Sequence, residues 1–200
     1  MIITAIKQQE RLKGRYSIYI DDKYAFSLSA DALLDAKIAA GLAVSEPQLK
    51  AYKELSADDK AYSLALAYVV RRMRSEGELK DYFRRKGYEE ALSEVLLARL
   101  SRLGLVDDAK FAEAWVRNRR LLKPVSKRRL LQELRQKHIA SEIVEQVLKD
   151  AEADEVTVLK ELIARKRKQL KYQDNLKLMQ YLARQGFGYD DIKSALIDEE

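Results

Sequence analysis

The chain has 200 residues, no Cys, one His, 7 Gly, 2 Pro and a formal net charge of +6. A chain of this length can bury about 70% of its unfolded surface without a disulfide or metal staple, and the missing Cys excludes a thiolate nucleophile, a CxxC redox pair and a Cys-ligated zinc site. One His excludes the paired-His metal sites, and so few Gly and Pro argue against an all-β sandwich with its many turns.

In chain order, Ile2 to Lys7 is a short apolar run. Tyr16, Ile18 and Ile20 alternate with Ser17, Tyr19 and Asp21, and Tyr24 to Leu28 alternates again. This period-2 pattern predicts a hairpin closed at Asp22-Lys23. A short helix is expected from Ala30 to a left-handed cap at Gly41. Ser45-Glu46-Pro47-Gln48 reads as a capping box with Pro in the first turn, opening another short helix.

From residue 59 the pattern is all helix, and it repeats. Leu79…Phe83-Arg84-Arg85-Lys86-Gly87-Tyr88…Leu92…Leu96 returns as Leu130…Leu134-Arg135-Gln136-Lys137-His138-Ile139…Ile143…Val147. It returns again as Leu178…Leu182-Ala183-Arg184-Gln185-Gly186-Phe187…Ile192…Leu196. Gly87, His138 and Gly186 are 51 and 48 residues apart, the signature of stacked supersecondary units. Each unit reads as three helices: 59–73, 76–86 and 89–103; 108–121, 127–137 and 141–151; 155–170, 175–185 and 189–198.

Phe111, Ala112, Trp115 and Val116 form one stripe, opposite Lys110, Glu113, Arg117 and Arg120; Leu92, Val95, Leu96, Leu100 and Leu103 form another. Ser75-Glu76-Gly77-Glu78 is a second capping box. Gly87 and Gly186 occupy turns that favour positive φ, and His138 takes the same turn role in the middle unit. The expected fold is mainly α: tandem three-helix, helix-turn-helix-like repeats in a curved array, behind a small β-hairpin and helix segment. The expected domains are 1–58, 59–106, 107–152 and 153–200.

The charge is segregated. Residues 1–58 hold 8 basic and 8 acidic residues, so the whole net charge lies beyond them. Between Arg117 and Lys137 nine basic residues face one acid, Glu133. Such clusters predict a polyanion or an acidic protein surface as partner. The candidates are Arg117, Arg120, Lys123, Lys127, Arg128 and Arg129 first, Arg84, Arg85 and Lys86 next, and Arg165, Lys166, Arg167 and Lys168 third. Arg119 falls beside the apolar stripe and is expected to lay its stem across the helix.

Catalytic patterns fail on context. There is no P-loop; Gly186-Phe187-Gly188 follows a helix rather than a strand, which removes the dinucleotide reading. Asp107-Asp108 and Asp190-Asp191 sit at helix starts, where carboxylates cap backbone N–H groups. Trp115 and the tyrosines Tyr62, Tyr68, Tyr82 and Tyr88 read as packing. No enzyme, metal or cofactor is expected. No apolar run is long enough for a membrane span, and the N-terminus lacks a signal pattern, so a cytoplasmic protein is expected. In the helix-turn-helix-like pairs, the positions that would read bases are Glu89-Glu90, Ser141-Glu142 and Asp190-Asp191. Phosphates repel such carboxylates, which disfavours sequence-specific major-groove readout.

Arg74-Ser75-Glu76-Gly77-Glu78-Leu79, Arg85-Lys86-Gly87-Tyr88, Leu103-Gly104-Leu105-Val106-Asp107-Asp108-Ala109-Lys110-Phe111-Ala112, Trp115-Val116-Arg117-Asn118-Arg119 and Gln132-Glu133-Leu134-Arg135-Gln136-Lys137 together resemble the RecX family over residues 60–200. His138-Ile139 departs from the usual Gly-Ile, and Pro124-Val125 replaces a link where Gly is common. The resemblance implies a non-enzymatic regulator that binds the RecA–single-stranded DNA filament. It would lower recombinase, ATPase and co-protease activity, with RecA and single-stranded DNA as partners and a monomer as the acting form. A helical-repeat nucleic-acid binder or protein scaffold without RecA specificity is the alternative.

Overall fold

The computed structural model describes residues 1–149 and 155–198, so residues 150–151 of the expected helix 141–151 lie outside the described residues. Two compact bodies form: Met1–Arg72 with Glu90–Leu96, and Met73–Glu89 with the residues from Leu97 onward.

In the first body the apolar run near the N-terminus is a strand. β1 (Ile3–Gln8), β2 (Arg15–Ile20) and β3 (Lys23–Ser29) make an antiparallel sheet in the order β1-β2-β3. The β2–β3 turn is Asp21-Asp22, not Asp22-Lys23. Both aspartates have positive φ (47° and 66°), which a two-residue type I′ turn demands. One sheet face buries Ile3, Ile18, Ile20, Phe26 and Leu28 with Ile38 and Val44. Helix α1 (Ala30–Asp35) stops six residues short of Gly41. It turns instead at Lys37, φ 52°.

The helix opened by Ser45 is the larger surprise. The capping box forms as expected, with Ser45 accepting from the Gln48 N–H and Gln48 reaching back. The helix then runs without a break as α2 (Glu46–Val70), 25 residues. The short helix at 46 and the long one at 59 are therefore one element. No Gly or Pro stands between Pro47 and Gly77 to stop it.

In the second body the helices are α3 (Glu76–Lys86), the end of α4 (Glu90–Arg102), α5 (Asp108–Leu122), α6 (Lys127–Gln136), α7 (Ser141–Leu148), α8 (Glu155–Arg167), α9 (Asn175–Arg184) and α10 (Tyr189–Ile197). Two complete three-helix cores are closed here. Phe111, Ala112 and Val116 of α5 meet Leu130 and Leu134 of α6 and Val144 and Leu148 of α7. Leu159, Leu162 and Ile163 of α8 meet Leu178 and Leu182 of α9 and Ile192, Ala195 and Leu196 of α10. The leucine stripe assigned to α4 is shifted. Leu96, Leu97 and Leu100 are buried, while Val95 and Leu103 are 64% and 58% exposed. Helix α8 ends at Arg167, and a 3₁₀ turn at Leu170–Tyr172 follows. The left-handed turns fall where the repeat placed them, at Gly87 (φ 71°), His138 (φ 58°) and Gly186 (φ 94°).

Among the described residues no helix is long and apolar enough to cross a membrane.

Candidate functional site

The second body is organised around joints that couple each unit's middle helix to that of the next. At the first joint the Ser75 hydroxyl, which caps α3 by accepting from the Glu78 N–H, also donates to the Lys137 carbonyl at 2.8 Å. At the second, the Ser126 N–H donates to the Gln185 carbonyl at 3.1 Å, while its hydroxyl caps α6. Both serines are buried, at 0% and 1% exposure. Thus α9 ends on the start of α6, and α6 ends on the start of α3, positive dipole end against negative.

A carboxylate from the following unit completes each joint. Asp108 accepts from the Glu76 N–H at 2.8 Å, and Glu155 accepts from the Lys127 N–H at 3.1 Å. Each acid opens the first helix of its own unit and satisfies an orphan donor of the unit before. Asp107 and Asp108 both act as caps, as expected of acids at a helix start, but on two different helices. Asp107 caps α5 through the Lys110 N–H at 3.0 Å, and Asp108 caps α3. Asp190 and Asp191 lie in the first turn of α10, which has no side-chain cap bond.

The pKa values of Asp107 and Asp108 are shifted in opposite directions. Burial is the main influence on Asp108 and raises its pKa above 3.8, against the lowering effect of the Glu76 N–H. The Lys110 backbone and side chain lower that of Asp107. Native Asp108 therefore holds its proton to higher pH than the unfolded chain does. Its contribution to stability is highest below the unfolded pKa and falls as pH rises through the folded one. Asp108→Asn keeps an acceptor for Glu76 and removes the buried charge. The urea midpoint should rise more at pH 7 than at pH 4 in this variant, so the pH 7 minus pH 4 difference shifts upward relative to the parent. An unchanged difference would assign the slope to other groups.

Glu133, the lone acid in the basic run, is a hub. It accepts from Arg119 Nε at 2.7 Å, Trp115 Nε1 at 3.0 Å and Arg129 Nε at 3.5 Å. Arg119 does cross the helix face as expected, with its guanidinium 5.3 Å from the Trp115 ring centroid. Lys137 lies 5.2 Å from the same ring and pairs with Glu78 at 2.7 Å. Trp115 is half-buried and stacks on Phe111 at 5.8 Å, closing the rim of its unit's core.

The structure sorts the basic candidates into two groups. Arg84 pairs with Asp81 at 3.1 Å, and Lys86 lies over Tyr82. Arg120 and Lys127 are half-buried around a small cavity shared with Val125, Leu130, Glu155 and Val158. Arg129 Nη1 donates to the Arg184 carbonyl and so closes the second joint. Lys166 lies 4.6 Å from the Tyr181 centroid. Arg167 donates to the Tyr172 and Gln173 carbonyls and to Asn175 Oδ1 at 2.6 Å, fixing the link to α9. By contrast, Arg85, Arg117, Lys123, Arg128, Arg165 and Lys168 are exposed and engage no described residue in a hydrogen bond or ion pair. These are the cations available to a partner. Composition could not separate the groups, because the engaged members find their acceptors in distant parts of the chain. The carboxylates Glu89, Glu90, Glu142, Asp190 and Asp191 are exposed at the starts of α4, α7 and α10, where a base-reading helix would meet phosphates.

The missed residues lie in the first body. Arg15 pairs with Asp59 of α2 at 2.7 Å and donates to Ser27 Oγ and the Ser27 carbonyl, both at 2.9 Å. Asp59 also accepts from the Ser29 N–H and hydroxyl at 2.8 and 2.6 Å. A charged residue beside a period-2 strand run was the only sequence trace of this clasp.

Comparison with known proteins gives one family along the chain. Residues 1–45 match the regulatory protein RecX N-terminal domain, and residues 61–100, 107–148 and 153–196 match the first, second and third RecX three-helix domains. The regulatory protein RecX of Halalkalibacterium halodurans is 35% identical over 151 residues, 74% of this chain and 57% of that protein. That of Lactobacillus johnsonii is 32% identical over 154 residues, 77% of this chain and 56% of that one. The chain thus spans little more than half the length of these relatives. A crystal structure of regulatory protein RecX superposes with a TM-score of 0.72 at 28% identity, covering 100% of this chain and 99% of the other. The RecX structure from Lactobacillus salivarius gives 0.58 at 23% identity over 70% of this chain and 95% of that one, a likeness of fold. With four consecutive domain matches on one chain, this protein belongs to the RecX family.

Proposed function

We propose that this chain is a non-enzymatic regulator that binds the RecA–single-stranded DNA filament and mainly inhibits its recombinase, ATPase and co-protease activities. It would act as a cytoplasmic monomer in recombinational repair and the SOS response. The observation that carries this reading is the set of exposed cations that engage no described residue, spread over consecutive repeats of a RecX-family chain. They lie on α3, α5, α6 and α8 and just past the ends of α5 and α8. Dispersed point charges suit an extended polyanion, and the exposed carboxylates at the third-helix starts suit backbone contact better than base readout.

Added well below the recombinase concentration, the protein should progressively depress RecA ATPase on single-stranded DNA. No effect at equimolar amounts would overturn the reading. Arg85, Arg128 and Arg165 changed together to Ala should weaken filament binding about tenfold and lower the salt slope by about 0.7 per residue removed. Arg129 is left in place in this test because it closes a joint. Full inhibition by the triple variant would take these cations out of the mechanism. Binding with no salt dependence would favour a protein scaffold.

A further inference from the structure

The ends of the first helices carry more than charge. Helix α5 finishes on Leu121 and Leu122, 68% and 73% exposed, between Arg117 and Lys123. Just past the end of α8, Leu170 is 84% exposed between Lys168 and Lys171. A single exposed leucine needs no explanation. A similar combination of exposed leucine and flanking cations, at the end of one first helix and just past the end of the next, does, because each repeat has a buried core that could have taken it. Helix α2 taken by itself shows the feature too: it ends on Val70, 68% exposed, followed by Arg71.

We infer that the ends of α5 and α8 form a two-point docking surface for an acidic protein segment carrying apolar side chains. This rests on the filament reading above and assigns these tips to the protein component of the filament rather than to its DNA. Phosphates would satisfy the cations alone, and the leucines offer unstacked bases no aromatic face to stack on. Carboxylates beside aliphatic or aromatic anchors satisfy both, and apolar anchors ringed by charge are how protein interfaces concentrate their affinity.

The spacing follows from the fold. The end of α5 lies beside the start of α8, since Arg120 shares a cavity with Glu155 and Val158. Helix α8 is 13 residues long, so the two tips are about 20 Å apart at 1.5 Å per residue. One extended segment of about six residues spans that distance.

The test uses the full chain with Leu121, Leu122 and Leu170 changed together to Ser, positions whose exposure leaves folding intact. Two probes are read at the same salt: a fluorescent single-stranded oligonucleotide alone, and RecA assembled on that oligonucleotide. The expected result is at least a tenfold loss of affinity for the filament, with oligonucleotide affinity within twofold of the parent. Leu→Met at the same positions should restore filament binding, because Met preserves the apolar volume. Parallel losses on both probes, or no loss on the filament, would overturn the docking surface while leaving the filament reading intact. Failure of the unmodified protein to bind the filament would overturn both.

Discussion

Asp59→Ala should destabilise the first body by about 3–5 kcal/mol, the cost of leaving a buried charge without its partner. The Arg15 and Asp59 side chains are 10% and 7% exposed, and their polar atoms are directed at one another and at Ser27, Ser29 and Ser56. Removing Asp59 strands a guanidinium between β2, β3 and α2, and it also removes the acceptor of the Ser29 N–H. Arg15→Lys is no substitute, since an ammonium cannot present the planar fork that reaches Asp59 and Ser27 together. Replacing both residues with apolar ones, Arg15→Met with Asp59→Leu, should recover most of the loss, because a pair removed together leaves no orphan charge. Amide exchange of β2 and β3 is the readout: strong loss of protection in the single variant, recovery in the double. Equal protection in all three proteins would show that sheet and helix are held by their apolar face alone.

That clasp shows where sequence reading stops. Periodicity located the hairpin and the helices of the repeats, because amphipathic burial is a local property written every second or every third to fourth residue. It did not show that α2 is continuous. The charge balance changes near residue 58, but charge does not end helices; Gly and Pro do, and neither lies between Pro47 and Gly77. It placed the end of α1 at Gly41, which is left-handed as expected (φ 85°), but the helix ends at Asp35 and Lys37 turns the chain first. The site divides in the same way. Which residues are basic was legible, and which of them are unengaged was not. Arg129 reaches a carbonyl 55 residues away, and Glu78 pairs with a lysine 59 residues away. Such partners are set by how one repeat stacks on the next, which no window of ten residues contains.

The joints make the sharpest claim about the array. Gly77 and His138 meet at the first joint, where a Cβ on Gly77 would stand 2.4 Å from the His138 Cβ. At the second joint the glycine is on the other side: the turn residue is Gly186, whose added Cβ would stand 2.4 Å from Ser126 Oγ and 3.0 Å from Arg129 Cβ. Each joint therefore has a close approach met by a glycine, at the helix start in one case and at the turn in the other. This accounts for His138 standing where the other repeats have glycine, at φ 58°.

Helix propensity alone says that Gly77→Ala should stabilise α3 by about 1 kcal/mol. The joint reverses the sign: overpacking against His138 should cost about 1–3 kcal/mol net. In a His138→Gly background the added methyl has space, and Gly77→Ala should become stabilising. Trp115 fluorescence in urea follows the cycle, since its ring lies against Lys137 beside this joint. A coupling of about 2 kcal/mol or more between the two substitutions is expected, within the range seen for residues in direct contact. If Gly77→Ala stabilises the parent chain, or the two changes simply add, the middle helices are not stacked at Gly77, and the head-to-tail account of the repeats fails with them.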